Sequence, residues 1–158
     1  MGKNCMIGQA GGPTAVINAS LKGVIDTAQQ SKEIDNIYGM RYGILGALNG
    51  QILDLTNKSS KELSLLRDTP SSILGTSRYK IVDYNEDEED YVKLFELFKE
   101  LDIGYLFYIG GNDSMDTVDK LNKYAMEKGF DINIIGIPKT VDNDIVDISI
   151  RSSRRDPP

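Results

Sequence analysis

The sequence predicts an α/β fold: an open, mostly parallel sheet with helices on both faces. Three observations carry that expectation. Short continuous apolar runs, CMIGQA at 5–10, YLFYI at 105–109 and INIIGIP at 132–138, lack the alternating polarity of a half-wet sheet and suit strands buried on both sides. Segments of helical period lie between them, as the crossovers of parallel strands require. Two of the runs end at paired glycines, Gly11-Gly12 and Gly110-Gly111, directly before a helical segment.

Taken in order, CMIGQA is the first strand, and Pro13 suits the first turn of the helix after it. Val16, Ile17, Val24, Ile25 and Ala28 recur on one face of that helix, which is expected to end near Ser31. NIYGM at 36–40 reads as a second strand, and GALNGQILDLT at 46–56 as a small hairpin or excursion around Asn49-Gly50. SSKELSLLRD at 59–68 reads as a short helix behind a serine cap, and PSSILGTSR at 70–78 as irregular chain. The run EDEEDYVKLFELFKELD at 86–102 sets acids in a first helical turn, where the helix dipole favours them, with Tyr91, Leu94, Phe95, Phe98 and Leu101 on one face. The strand YLFYI is followed by a helix over SMDTVDKLNKYAMEKG at 114–129, closed by Gly129 with lysines near its end, and then by the strand INIIGIP.

Composition narrows the function classes. A chain of 158 residues, 40% of them apolar, suffices for one domain with its own core. A net charge of −6 argues against nucleic-acid or anionic-membrane partners, which demand a broad basic face, so an anionic ligand needs a local site. No apolar run approaches the roughly 20 residues of a membrane span. The N-terminal MGKNCMIGQAGG reads neither as a signal peptide nor as a myristoylation signal, and the expected location is cytoplasmic. The lone Cys5 excludes an intrachain disulfide, and its place in a short strand points to buried packing. The chain has no histidine, so acid–base chemistry falls to carboxylates, lysines or tyrosines, and Ser-His-Asp or Cys-His nucleophiles cannot form within it.

Three loops, QAGGPT, IGGNDS and IPKTVDND, fall at the carboxyl ends of expected strands, the edge at which open parallel sheets bind ligands. Paired glycines let the backbone approach a ligand closely, and the helices after them aim N–H groups at it. Such turns also serve a plain strand-to-helix connection, and neither is a G-x-G-x-x-G fingerprint or a P-loop. The third loop gathers Lys139, Thr140, Asp142, Asn143 and Asp144. Two carboxylates one residue apart can divide proton acceptance from cation binding, and a nearby lysine can neutralise a transferring phosphoryl group. Taken by itself, D-N-D also reads as an ordinary Asx-rich turn.

In order and spacing, GGPTAVINAS, LGTSR, GGNDSMD and PKTVDND resemble the phosphofructokinase family, and most of all its pyrophosphate-using branch. The resemblance implies a Rossmann-like N-terminal lobe over 1–146, succeeded by a non-matching tail, 147–158, and a homo-oligomer when full length. It implies Mg2+-dependent transfer of a phosphoryl group from pyrophosphate to the 1-hydroxyl of fructose 6-phosphate. By the same resemblance Asp142 is the base that takes the sugar hydroxyl proton, assisted by Lys139 and Asp113. Thr140, Val141 and Asp142 touch the sugar phosphate. Gly11, Gly12, Gly111, Arg78, Asp113 and Lys139 meet the donor. The metal falls to Asn112, Asp113 and Asp144, with Asn112 standing where the family more often has an aspartate.

The ATP-using branch has glycine at the position of Asp113 and usually no basic counterpart of Lys139, so the pair resembles a device that excludes ATP. After VDNDI the chain departs from the family into VDISIRSSRRDPP, and with most sugar-phosphate residues missing it is expected to turn over little or not at all. The other readings are an ATP-dependent 6-phosphofructokinase, a non-catalytic phosphate-binding fragment or pseudoenzyme, and a nucleotide-dependent kinase of the wider superfamily.

Overall fold

The computed structural model describes residues 2–139, along which strands and helices alternate for most of the length. They are β1 (Lys3–Gln9), α1 (Ala15–Gln30), β2 (Ile34–Met40), α2 (Gly43–Leu48), β3 (Ile52–Asp54), α3 (Ser60–Asp68), α4 (Glu89–Glu100), β4 (Ile103–Gly110), α5 (Asn112–Lys128) and β5 (Asn133–Pro138). The sheet order is β3-β2-β1-β4-β5, parallel except for β3, which runs antiparallel to β2. Met6 of β1 stands opposite Tyr38 of β2 on one side and Leu106 of β4 on the other. The chain builds outward from β1 to β3, then returns to place β4 on the other flank of β1. Connections therefore leave β1 and β4 in opposite directions, and a crevice opens between their carboxyl ends. Among the described residues, no helix is long and apolar enough to cross a membrane.

Alternation along the central strands divides the core into two layers. Cys5 and Ile7 of β1 face Ile17, Leu21 and Ile25 of α1 and Leu63 and Leu66 of α3, while Met6 faces the layer built by α2, α4 and α5. In that second layer Tyr91, Phe95 and Tyr124 pack ring to ring, with centroids 5.0 Å apart for both Tyr91–Tyr124 and Phe95–Tyr124. Each such fully buried side chain contributes on the order of 1.5–3 kcal/mol of transfer free energy. Cys5 is fully buried, as expected, and desolvation pushes its thiol pKa up to about 12. β5 is the outermost strand on its side of the described sheet, and Ile135 on it is 42% exposed.

Local signals account for the helix ends. Ser59 caps α3 by accepting from the Glu62 amide while the Glu62 carboxylate accepts from the Ser59 amide, a reciprocal capping box. α5 stops at Gly129, whose amide donates to the Ala125 carbonyl.

Four expectations need correction. Pro13 lies before the first turn of α1, because Thr14 takes the cap position and the helix starts at Ala15. Val16 is 51% exposed rather than on the buried face of α1, because Ile17, Leu21, Ile25 and Ala28 define that face and Val16 lies about 100° of helix rotation from Ile17. The stretch around Asn49-Gly50, read as a small hairpin or excursion, contains a short helix that neither reading named: α2 carries the chain over, Asn49 ends it, and only then does β3 return along β2. α5 begins at Asn112, earlier than the SMDTVD reading, so Asn112 and Asp113 belong to its first turn.

Candidate active site

The three loops singled out in the sequence leave neighbouring strands β1, β4 and β5 at the same edge of the sheet. The β1 loop is drawn against β4 where the Ala10 amide donates to the Ile109 carbonyl at 2.8 Å. Gly11 then adopts φ +77°, a left-handed conformation open to glycine, and a Cβ placed on it would stand 3.7 Å from the Gly111 amide nitrogen. The two glycine turns are therefore packed against each other. At Gly110 a Cβ would collide with Ser114 Oγ at 2.1 Å, so only glycine lets α5 start this close to the strand end. The third loop joins them: the Lys139 amide donates to the Gly110 carbonyl at 2.7 Å, and the Lys139 ammonium donates to the Gly12 carbonyl in a short contact.

A cleft of about 320 Å³ lies over these turns, lined by Gly11, Gly12, Arg78, Lys80, Asp113 and Thr117 among others. Its far wall is the irregular segment after α3, held in place from beneath by two buried amides. Gln9 and Asn18 are both fully buried. Gln9 Oε1 accepts from Ser72 Oγ at 2.6 Å and from the Leu74 amide at 3.0 Å, and Gln9 Nε2 donates to Asn18 Oδ1 at 3.1 Å. Asn18 Oδ1 accepts from the Ile73 amide at 3.0 Å, and Asn18 Nδ2 donates to the Thr69 carbonyl at 2.9 Å. Residues 69–75 are thereby bolted to β1 and α1, and the chain beyond them delivers Arg78 and Lys80 to the cleft.

Asp113 stands exposed in the first turn of α5, and its carboxylate pairs with Lys80 Nζ at 2.9 Å. That hydrogen bond, with the accompanying charge attraction, raises the Lys80 pKa. Arg78, Lys80 and Lys139 give a chain of net charge −6 the local basic site that an anion requires. A larger cleft, about 470 Å³, lies beneath α3 and is lined mainly by leucines and isoleucines such as Leu21, Ile25 and Leu63, a setting without convergent phosphate donors.

The structure thus brings Gly11, Gly12, Gly111, Arg78, Asp113 and Lys139 to one edge, with Asn112 opening α5 beside Gly111. Thr140, Val141, Asp142 and Asp144 lie outside the described residues. Among the described residues no group of three or more carboxylate, cysteine or histidine side chains could hold a metal ion. Sequence reasoning missed Gln9, Asn18 and Lys80. Asn18 had a signal, a polar residue next to Ile17 on the inward face of an amphipathic helix, and so did Lys80, two residues beyond Arg78 in a segment without helical period.

The family model for phosphofructokinase matches residues 4–150. A pyrophosphate–fructose 6-phosphate 1-phosphotransferase from Methylococcus capsulatus is 43% identical over 144 residues, which cover 90% of this chain and 34% of that one. The crystal structure of a pyrophosphate-dependent phosphofructokinase from Nitrosospira multiformis superposes with a TM-score of 0.83 at 45% identity, covering 89% of this chain and 34% of the other. Pichia pastoris phosphofructokinase shares the fold at a TM-score of 0.73 and 21% identity. The chain spans about a third of the length of the bacterial relatives it matches. With one family model covering nearly the whole chain and the motif loops meeting at a single sheet edge, this chain belongs to the phosphofructokinase family.

Proposed function

We propose that this chain forms the phosphoryl-donor half of an enzyme that transfers a phosphoryl group from pyrophosphate to the 1-hydroxyl of fructose 6-phosphate, a step of glycolysis. The names of the relatives in Methylococcus capsulatus and Nitrosospira multiformis support the reading. The observation that carries the choice of donor is Asp113, whose carboxylate stands in the cleft beside the two glycine turns. A carboxylate there takes up the space that the additional phosphate of a nucleotide would need, which favours a two-phosphate donor.

In this reading the Gly11 and Gly12 backbone and Arg78 hold the donor, and Lys139, already reaching across to Gly12, neutralises the phosphate that leaves. Asp142 accepts the proton of the sugar hydroxyl as its oxygen bonds to phosphorus and the bridging P–O bond of pyrophosphate breaks, giving fructose 1,6-bisphosphate and phosphate. Thr140 and Val141 border the sugar phosphate. Magnesium typically keeps several waters and takes one or two protein oxygens together with substrate phosphates, a donor set that the exposed Asp113 carboxylate fits. Asn112, Asp113 and Asp144 would hold the ion, which supplies positive charge to the phosphate oxygens.

Calorimetric titration of the chain with magnesium pyrophosphate, and separately with magnesium ATP, tests the donor assignment. Binding of pyrophosphate without ATP is expected, and equal binding of the two would overturn it. Because the chain covers 34% of the Methylococcus capsulatus relative, donor binding without sugar phosphorylation is expected of the 158 residues alone.

A further inference from the structure

A carboxylate in a site for a polyanion is a paradox: the group that excludes the longer donor also carries a charge that repels the shorter one. The structure offers a resolution in a residue outside the sequence motifs. Lys80 sits 2.9 Å from Asp113 across the cleft, and it is held there by its neighbours. The Tyr79 hydroxyl donates to Asp90 on α4 in a short contact, the Ile81 side chain is buried in the aromatic layer, and Lys120 on α5 donates to the Ile81 carbonyl at 3.3 Å. With both neighbours anchored to different helices, the short stretch 79–81 presents Lys80 to the first turn of α5. The other carboxylate acting on Lys80 is Asp116, one turn along the same helix.

We infer that Lys80 is a positioning residue for donor choice: it neutralises and fixes Asp113, so that the carboxylate excludes a nucleotide by its volume without repelling pyrophosphate by its charge. The inference rests on the donor assignment above. Lys80 acts through Asp113 rather than on the reacting atoms.

A double-mutant cycle read by calorimetric titration tests this, using Lys80→Met, Asp113→Asn and the pair. Lys80→Met is expected to weaken magnesium pyrophosphate binding about tenfold or more, the scale of a lost charge-assisted interaction, without admitting magnesium ATP. In the Asp113→Asn background, where no carboxylate charge remains, the same substitution should change pyrophosphate affinity less than about threefold. Lys80→Arg should restore most of the affinity. Both side chains are largely exposed, so thermal melting of all variants should stay close to that of the unaltered chain, which separates this role from a structural one. Unchanged affinity in Lys80→Met, or an equal loss in both backgrounds, would overturn the inference while leaving the donor assignment intact. If the unaltered chain bound neither donor, both would fall. If it bound ATP as well as pyrophosphate, the donor assignment would fall and, with it, the exclusion ascribed to Asp113.

Discussion

The two glycine turns resemble each other in sequence and differ in the helix starts they lead into. After Gly11-Gly12 the chain runs through Pro13 and Thr14 before α1 starts, and the first turn of α1 holds no acid. After Gly110, Gly111 is itself the cap of α5, and Asp113 lies in the first turn. The positive end of α1 is thus left for an anion, whereas that of α5 is partly satisfied by a carboxylate of its own chain. In the proposed reading one turn serves as a cradle for the donor and the other as a gate against a longer one. The two turns lie close together, since a Cβ placed on Gly11 would stand 3.7 Å from the Gly111 amide nitrogen, so in that reading they face one ligand.

The largest effect is expected from making the turns alike. Asp113→Gly removes the gate, and the altered chain should gain binding of magnesium ATP where the unaltered chain has none, measured by calorimetric titration. The substitution also places glycine in a helix and removes a favourable first-turn charge, at a combined cost of about 1–2 kcal/mol in denaturant-melt stability. An Asp113→Gly chain that folds and still rejects ATP would show that the gate lies elsewhere.

A smaller effect tests the support behind the cradle. Asn18→Ala leaves the Ile73 amide and the Thr69 carbonyl without their side-chain partner in a buried setting and should cost about 1–3 kcal/mol of stability. Because residues 69–75 lead to Arg78, pyrophosphate affinity should fall as well, whereas a loss of stability with unchanged affinity would mean that the wall keeps its place without the amide. Urea unfolding together with titration separates the two outcomes.

Much of this arrangement was legible in the sequence, and the gaps have physical causes. Largely apolar runs marked β1 and β4, which are covered by the two core layers, and marked β5 as well, although β5 is the outermost described strand and only Ile134 on it is fully covered. The α3 start was legible because Ser59 and Glu62 satisfy each other locally, with no help from tertiary structure. α2 was not: its entry at Tyr42, with φ +57°, is held where the Tyr42 amide donates to the Leu74 carbonyl, from a distant part of the chain. Arg78 was found through a motif, but its partner in the cleft wall, Lys80, gains meaning only when α5 comes to lie opposite. The buried amides Gln9 and Asn18 escaped for the same reason, since their partners lie more than fifty residues away in the segment around Ser72. Sequence periodicity reports which face is buried, not what a buried polar group will meet there.

The smallest expected effect concerns the gate alone, since the cradle has no comparable carboxylate. Asp113 accepts a hydrogen bond from Lys80 and attracts its charge, so the Lys80 pKa stands above the ordinary lysine value in the folded chain. The folded chain then keeps a proton that the unfolded chain releases at lower pH. The pair's contribution to stability is accordingly complete below the unfolded lysine range and disappears as the pH rises through the raised value. The difference in melting temperature between the unaltered chain and Lys80→Met should be small and constant at neutral pH and shrink toward zero in strong alkali. Added salt should reduce it at neutral pH, because the pair is exposed. A difference that persisted in alkali or ignored salt would assign it to packing of the lysine stem on the cleft wall instead of to the charge on its ammonium, and the contrast between a neutral cradle and a charge-balanced gate would lose its electrostatic half.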